Sequence, residues 1–201
     1  MRTLETLEVV GGASCLDFAN TINSRRQPVH DYLETYSDLV AWAVKVGLLS
    51  AVKRNQLLRL AGMDSRNAER AFRKAVMIRE LIYRLFSRNP RRSKPKQKDM
   101  EVLVGAYAEA ISHSSFVREK GEFAIDWPME RSLDAALWPI LYSAGQLLLS
   151  KELMHVKECP TCGWLFLDTS KNQSRRWCSM KACGTRDKMR RYLRRARTID
   201  P

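Results

Sequence analysis

The sequence predicts a mainly helical protein with a small amount of β-structure, in which a helical N-terminal region precedes a small cysteine-containing module. Apolar residues recur at helical spacing through most of the first 150 residues. Four cysteines lie in two short pairs near the C-terminus, a spacing typical of a metal-binding module. We therefore expect a helical domain over residues 1–153 and a separate module over residues 154–201.

The helical region divides into six predicted helices, which cover residues 14–23, 31–46, 51–61, 65–87, 98–112 and 131–153. Pro139 lies inside the last of them and is expected to kink or restart it. Before that helix, the segment FVREKGEFAIDW predicts a β-hairpin that turns at Lys120 and Gly121. Segment 88–98 contains two prolines and six basic residues, which predicts an exposed loop. The loop is either a solvated linker or a second contact with nucleic acid.

One charged residue breaks the apolar pattern of the fourth helix. Arg79 falls in the middle of the apolar face, and a buried guanidinium must be paired because an isolated charge is costly in a low dielectric. In one interpretation Arg79 pairs internally, with Asp17 as the candidate partner and Asn20 beside it. In the other, Arg79, Asp17 and Asn20 line a sensor pocket that binds the acidic group of a small apolar ligand. Ser14 and Asp17 also match an acidic variant of the capping box, which gives Asp17 a structural alternative.

The four C-terminal cysteines have the spacing of a tetrahedral zinc site. Two residues separate Cys159 from Cys162, and four separate Cys178 from Cys183. Fifteen residues lie between the two pairs. Four sulfur ligands leave no open position for water or substrate, so we expect one structural zinc ion per chain and no catalytic metal. The alternative, two disulfides, requires an oxidising compartment, whereas the N-terminal sequence MRTLETLEVV does not resemble a secretion signal. We therefore expect a cytoplasmic protein, in which the remaining cysteine, Cys15, is a buried small apolar residue.

Other residues of the module have expected structural roles. Trp164, Phe166 and Trp177 are predicted to cover the zinc site with apolar surface. Ser179 is predicted to cap the helix that carries Cys183. His155 lies four residues before the first ligand and is expected to be a neighbour of the module and not a ligand, since four cysteines complete the site.

The last part of the chain is strongly basic. Residues 170–201 contain eleven basic and two acidic residues, a net charge of +9 in a chain whose total is +13. A helix over residues 181–197 would place Met189, Tyr192, Leu193 and Ala196 in one apolar seam, which we expect to dock on the zinc module. The other faces would present cations to phosphate groups, unless the segment is only a solvated tail. The candidate nucleic-acid-binding residues are Arg175, Arg176, Arg186, Lys188, Arg190, Arg191, Arg194, Arg195 and Arg197.

The run CPTCGWLFLDTSKNQSRRWCSMKACGTRDKMRRYLRR resembles the CGNR-type zinc finger, with Thr185 in place of the asparagine of the signature. Proteins with this finger carry an N-terminal ABATE domain. Residues 12–150, with the motif CLDFANT near their start, are compatible with it. The family is regarded as a group of bacterial, stress-linked transcription regulators. The resemblance implies a transcription regulator that binds DNA through the finger. In the pocket interpretation of Arg79, its N-terminal domain also senses a small ligand. The alternative is a zinc-stabilised module that docks on RNA or protein and senses nothing.

Several classes of function are disfavoured by the sequence. No apolar run reaches the length of a membrane helix. The chain has no glycine-rich phosphate loop, no motif for a serine or cysteine nucleophile and no cluster of histidine and carboxylate, so we do not expect an enzyme. A single finger rarely buries enough surface for tight, sequence-specific binding, so we expect a homodimer or a second contact. Because the finger is expected to be an appendage, Cys178→Ser should unfold it and leave the helical domain largely intact.

Overall fold

The computed structural model describes residues 3–26, 30–87, 94–129 and 132–197. These residues form seven α-helices and two antiparallel β-hairpins. The helices are α1 (Ser14–Ala19), α2 (Tyr36–Lys45), α3 (Ala51–Met63), α4 (Ser65–Ser87), α5 (Gln97–Ser112), α6 (Trp138–Leu149) and α7 (Thr185–Arg197). The strands are β1 (Ser115–Glu119), β2 (Glu122–Asp126), β3 (Val156–Glu158) and β4 (Leu165–Leu167). None of the described helices combines the length and the apolar character needed to cross a bilayer.

The predicted helices are found, and their ends differ where local hydrogen bonds intervene. The prediction for α4 is confirmed at both ends, whereas α2 begins five residues later than predicted. The cause is a capping box: the Thr35 hydroxyl accepts from the Asp38 amide, and the Asp38 carboxylate accepts from the Thr35 amide. The helix predicted over 131–153 is divided into a 3₁₀ turn, α6 and a second 3₁₀ turn. Pro139 lies in the first turn of α6, where its missing amide costs nothing, so the predicted restart is confirmed.

The first hairpin agrees with its prediction. Lys120 and Gly121 both have positive φ, 50° and 92°, as a tight turn that matches the twist of the strands requires. Phe116 pairs with Ile125 in the register. A salt bridge from Lys53 of α3 to Asp126 fastens the base of the hairpin to the helical domain.

The core of the helical domain is organised around α4, which contacts α1, α2, α3 and α5. Ile78, Leu81, Ile82 and Phe86 of α4 are buried. Cys15 is fully buried on α1, as predicted. Burial raises the pKa of its thiol to about 12, so the thiol remains protonated at neutral pH.

The zinc module packs against this core, and its buried residues belong to the same apolar cluster. The division into domains over residues 1–153 and 154–201 stays a prediction. Leu165 and Phe166 of β4 are completely buried. The side chain of Asn20, just after α1, donates to the Leu165 carbonyl and accepts from the Leu165 amide, both at 2.8 Å. The Leu167 amide donates to the Gly11 carbonyl at 2.8 Å. The N-terminal segment thus contacts β4 through one backbone hydrogen bond and through the side chain of Asn20, the residue that follows α1.

Candidate metal centre and nucleic-acid interface

The four predicted ligand sulfurs lie together in one buried cluster. All four Sγ atoms are within 4.8 Å of one another, with 3.5 Å between Cys162 and Cys178 and 3.7 Å between Cys178 and Cys183. A tetrahedral ion with Zn–S bonds of about 2.3 Å places its sulfurs about 3.8 Å apart. The geometry and the all-thiol ligand set therefore fit one structural zinc ion. His155 is not part of the cluster, as expected.

Cys159 and Cys162 lie in the tight connection between β3 and β4. The Cys159 amide donates to the Trp164 carbonyl, and the Gly163 amide donates back to the Cys159 carbonyl, each at 2.8 Å. Gly163 has φ of +78°, and a Cβ at this position would lie 2.6 Å from Cβ of Arg25. The residue after the second ligand must therefore be glycine both for its backbone conformation and for the close packing against Arg25.

Cys178 precedes a wide helical turn, Met180–Gly184, that contains Cys183 and leads directly into α7. The predicted cap is confirmed, since the Ser179 hydroxyl accepts from the Ala182 amide at 3.3 Å. Thr185, at the position of the signature asparagine, donates to the Met180 carbonyl at 3.3 Å. The direction in which α7 leaves the finger is therefore set by the same turn that presents the second pair of ligands.

The sulfurs are surrounded by hydrogen-bond donors. Arg186 donates from Nη2 to Cys183 Sγ at 3.3 Å, and the Trp164 amide donates to Cys162 Sγ at 3.5 Å. A zinc ion with four thiolates is doubly negative, so a guanidinium beside one sulfur stabilises the charged cluster. Arg186, which the sequence assigned to nucleic acid, thus also belongs to the surroundings of the metal.

Asp168 holds together the loop between β4 and the second cysteine pair. Its buried carboxylate accepts from Lys157 Nζ at 2.5 Å, from the Ser170 hydroxyl at 2.6 Å and from the Arg175 amide at 3.0 Å. Burial alone would raise the pKa of Asp168, but the hydrogen bonds from Lys157 and Ser170 outweigh it and hold the pKa below its usual range. The loop is thereby folded back on β3, which brings Cys178 to Cys162.

Arg175 and Arg176 have different surroundings. Arg175 donates to the Trp177 carbonyl at 3.0 Å and to the Cys178 carbonyl, and its guanidinium lies 4.6 Å from the centre of the Phe166 ring. Arg176 is exposed, 5.1 Å from the centre of the Trp177 ring. These contacts give Arg175 a role within the finger, whereas Arg176 lies where a phosphate could reach it.

The basic helix projects from the finger, and its predicted docking is wrong. Met189, Tyr192 and Leu193 are 57%, 68% and 51% exposed, so they do not pack on the zinc module. Instead α7 is anchored through the turn that carries Cys183, and its described side chains are exposed or, for Asp187, half-buried.

The predicted phosphate ligands on α7 are at the surface as far as Arg194. Lys188 and Arg190 are exposed, and Arg191 pairs with Asp187 of its own helix at 3.1 Å. The side chains of Arg195, Ala196 and Arg197 lie outside the described residues, as does most of the basic loop, 88–93. Nucleic-acid binding by all these residues stays a prediction.

Arg79 is buried, and its side chain is paired within the protein. Its Nη1 and Nη2 donate to the two carboxylate oxygens of Asp31 at 2.8 and 2.7 Å, Nη1 also donates to the Thr21 hydroxyl, and Nε donates to Glu80. The expected partner, Asp17, was therefore wrong. The partner is Asp31, 48 positions before Arg79, so it lies far outside the three- or four-residue spacing of an ion pair on one helix. Arg79 lines none of the four principal cavities of the described chain.

Asp17 and Asn20 also have structural partners. The Asp17 carboxylate accepts from the amides of Val10 and Gly11 at 3.0 and 2.7 Å, and burial raises its pKa to about 6. The predicted capping box is wrong, since the cap position of α1 is Ala13 and no side chain caps it. Asn20 binds Leu165 with both ends of its amide. The contacts of Arg79, Asp17 and Asn20 favour the structural interpretation over the sensor pocket.

The segment that Arg79 binds contacts the first cysteine pair, Cys159 and Cys162. Thr21 and Asp31 bracket a stretch in which Ser24 Oγ and the Arg25 amide both donate to the Cys162 carbonyl, at 3.2 and 2.8 Å. Trp164 Nε1 donates to the Ile22 carbonyl at 2.6 Å. We define residues 20–26 as the bridging segment. Sequence reasoning missed this segment, although the cluster of two arginines after Asn23 could have indicated a contact with acidic side chains.

The fold and the metal centre define a zinc-finger protein in which a helical domain and a four-cysteine finger share one core. The family model for the ABATE domain, described as "Putative stress-induced transcription regulator", matches residues 12–151. The model for the CGNR zinc finger matches residues 155–196. The chain therefore belongs to the ABATE family and carries a C-terminal CGNR zinc finger. None of the curated proteins compared with the chain matches it.

Cys178→Ser is expected to abolish zinc binding and to destabilise the whole protein. Structural zinc contributes about 10–16 kcal/mol of apparent free energy, which is as large as the entire stability of a typical domain. Because β4 packs against α1, loss of the finger should also lower the stability of the helical domain. Elemental analysis and thermal unfolding check this, with Cys15→Ala as the control that removes a cysteine outside the cluster. One zinc per chain in Cys178→Ser, or an unchanged unfolding transition, would contradict the assignment.

Arg79→Met is expected to lower the free energy of unfolding by about 2–3 kcal/mol. Breaking a fully buried ion pair costs about 3–5 kcal/mol. The cost is smaller here because the Asp31 side chain is 36% exposed, so water can solvate its carboxylate when the guanidinium is removed. The variant should also release zinc to a chelator faster than the wild type, because the bridging segment loses its anchor. Denaturant unfolding and chelator kinetics measure the two effects. Arg73→Met, at an exposed position of the same helix, is the control and should change neither quantity.

Proposed function

We propose that this protein is a transcription regulator that binds duplex DNA through its zinc finger and α7. The observation that carries the proposal is the position of α7: a helix with exposed cations projects from a turn fixed by two zinc ligands and by Arg186. A helix held rigidly at one end loses little further conformational freedom when it binds, which favours affinity. The family description supports a role in regulation.

The charge of the surface is suited to a nucleic acid. Arg176, Lys188 and Arg190 are exposed, and Lys171 and Lys181 are exposed on the same finger. Each phosphate that such a cation neutralises releases a condensed counterion, which drives binding at low salt. These residues extend from the loop before Cys178 to the middle of α7, so more than one part of the finger can contact a phosphate backbone.

The metal centre supports a structural role and not a catalytic one. All four zinc positions are filled by sulfur, and Cys15 is buried with a raised pKa. We therefore propose that the protein is not an enzyme. The thiolate ligands must stay reduced, which supports a cytoplasmic location as part of the same proposal. The contacts of Arg79, Asp17 and Asn20 offer no support for ligand sensing by those residues, so sensing is not included.

Replacing Lys188 and Arg190 with glutamine is expected to weaken DNA binding and to flatten its dependence on salt. Each lost phosphate contact should reduce the slope of log K against log salt by about 0.9, so the double variant should lose at most about 1.8. Fluorescence anisotropy with one duplex at several salt concentrations measures both quantities. The zinc content and circular dichroism should be unchanged, because both side chains are exposed and Gln is a good helix former.

Arg59→Gln with Arg66→Gln is the matched control. It removes the same charge from exposed positions of α3 and α4. This control should keep the wild-type slope. Equal effects of the two double variants would show that only net charge matters and would contradict the assignment to α7. A stronger affinity for RNA of the same sequence, or for an acidic protein, would favour the docking module instead.

A further inference from the structure

The exposed seam of α7 has no partner in the described structure. Met189, Tyr192 and Leu193 lie at i, i+3 and i+4 and form one face of the helix, and each is more than half exposed. We call these three residues the α7 seam. Contiguous exposed apolar surface on a soluble protein commonly marks a binding site. A single large apolar side chain at the surface would need no explanation, but three on one face of a projecting helix do.

The charges of α7 are arranged around the seam. With about 100° of rotation per residue, Arg186 and Arg190 flank it on one side and Lys188 on the other. Asp187 lies on the opposite face, where it pairs with Arg191 at 3.1 Å. The seam is therefore bordered on both sides by cations, whereas the helix neutralises part of its charge on the face turned away.

This arrangement favours a polyanion over a second copy of the chain. Two copies packed seam to seam would bring Arg186, Arg190 and Lys188 against the same residues of the partner, and Asp187 is on the wrong face to compensate. A duplex instead offers phosphates along both sides of a groove with base edges between them. The DNA major groove is about 12 Å wide and admits a helix, whereas the major groove of A-form RNA is too narrow.

We propose that the α7 seam faces the base edges in the DNA major groove and contacts the methyl groups of thymine, while the flanking cations bind phosphates on the two strands. The inference rests on the proposed function and adds two details: the groove that α7 enters and the thymine methyl group that the seam recognises. Thymine is the base with an apolar substituent at the major-groove edge, so it is the natural partner of Met189 and Leu193. Tyr192 adds an aromatic ring on the same face.

The test compares an alternating A·T duplex with the same duplex in which uracil replaces every thymine. The two have the same phosphate charge and differ in the methyl groups. The zinc-loaded full chain is expected to bind the thymine duplex about fourfold more tightly for each methyl group buried. Met189→Ala with Leu193→Ala should bind both duplexes equally while keeping the wild-type salt slope, because its cations remain.

Met77→Ala, at an exposed apolar position of α4, is the matched control and should keep the preference for thymine. Salt-dependent binding without any difference between the two duplexes would overturn the seam inference and leave the proposed function standing. No binding to either duplex at low salt would reject the proposed function itself. A change in the sedimentation coefficient of the free protein caused by the seam variant would identify self-association and would also overturn the inference.

Discussion

The structure depends on the contact between the bridging segment and the zinc finger. Asn20 joins both backbone groups of Leu165, and two donors from Ser24 and Arg25 converge on the Cys162 carbonyl. A finger of this size has too little apolar surface for a stable core of its own. Here Trp164 and Leu165 are buried against the helical domain, which supplies the missing surface. The zinc ion and the helical core therefore stabilise each other.

The same contact explains the position of the basic helix. Arg79 fixes the bridging segment through Thr21 and through Asp31, which pairs with Ile22. The bridging segment holds the first cysteine pair, and the metal joins that pair to the turn from which α7 starts. This series of contacts runs from the middle of α4 to the projecting helix. It anchors α7 at its first turn, and it leaves the described side chains of the helix exposed apart from the half-buried Asp187. A helix whose seam was packed on the finger could not offer both its cations and its apolar face to a partner.

Sequence patterns predicted the features that depend on neighbouring residues. The cysteine spacing predicted the four clustered sulfurs, the apolar period predicted the extent of α4, and Lys120 with Gly121 predicted the turn of the first hairpin. The features that the sequence did not predict depend on contacts between residues far apart in the chain. Asn20 and Leu165 are separated by 145 positions, so no local pattern could reveal their pairing. The α7 seam has the periodicity of a packed helix, but periodicity does not say whether the partner is inside the protein or outside it.

Hydrogen exchange with and without zinc tests most directly whether the finger and the helical domain share one core. Removing zinc with a chelator should increase amide exchange in the finger, in α1 and in the bridging segment, because these elements lose their common packing. The β1–β2 hairpin, which is fastened to α3, should change least and serves as the internal reference. An increase confined to residues 156–197, with α1 and the bridging segment unchanged, would show that the finger is an independent appendage and would contradict this account.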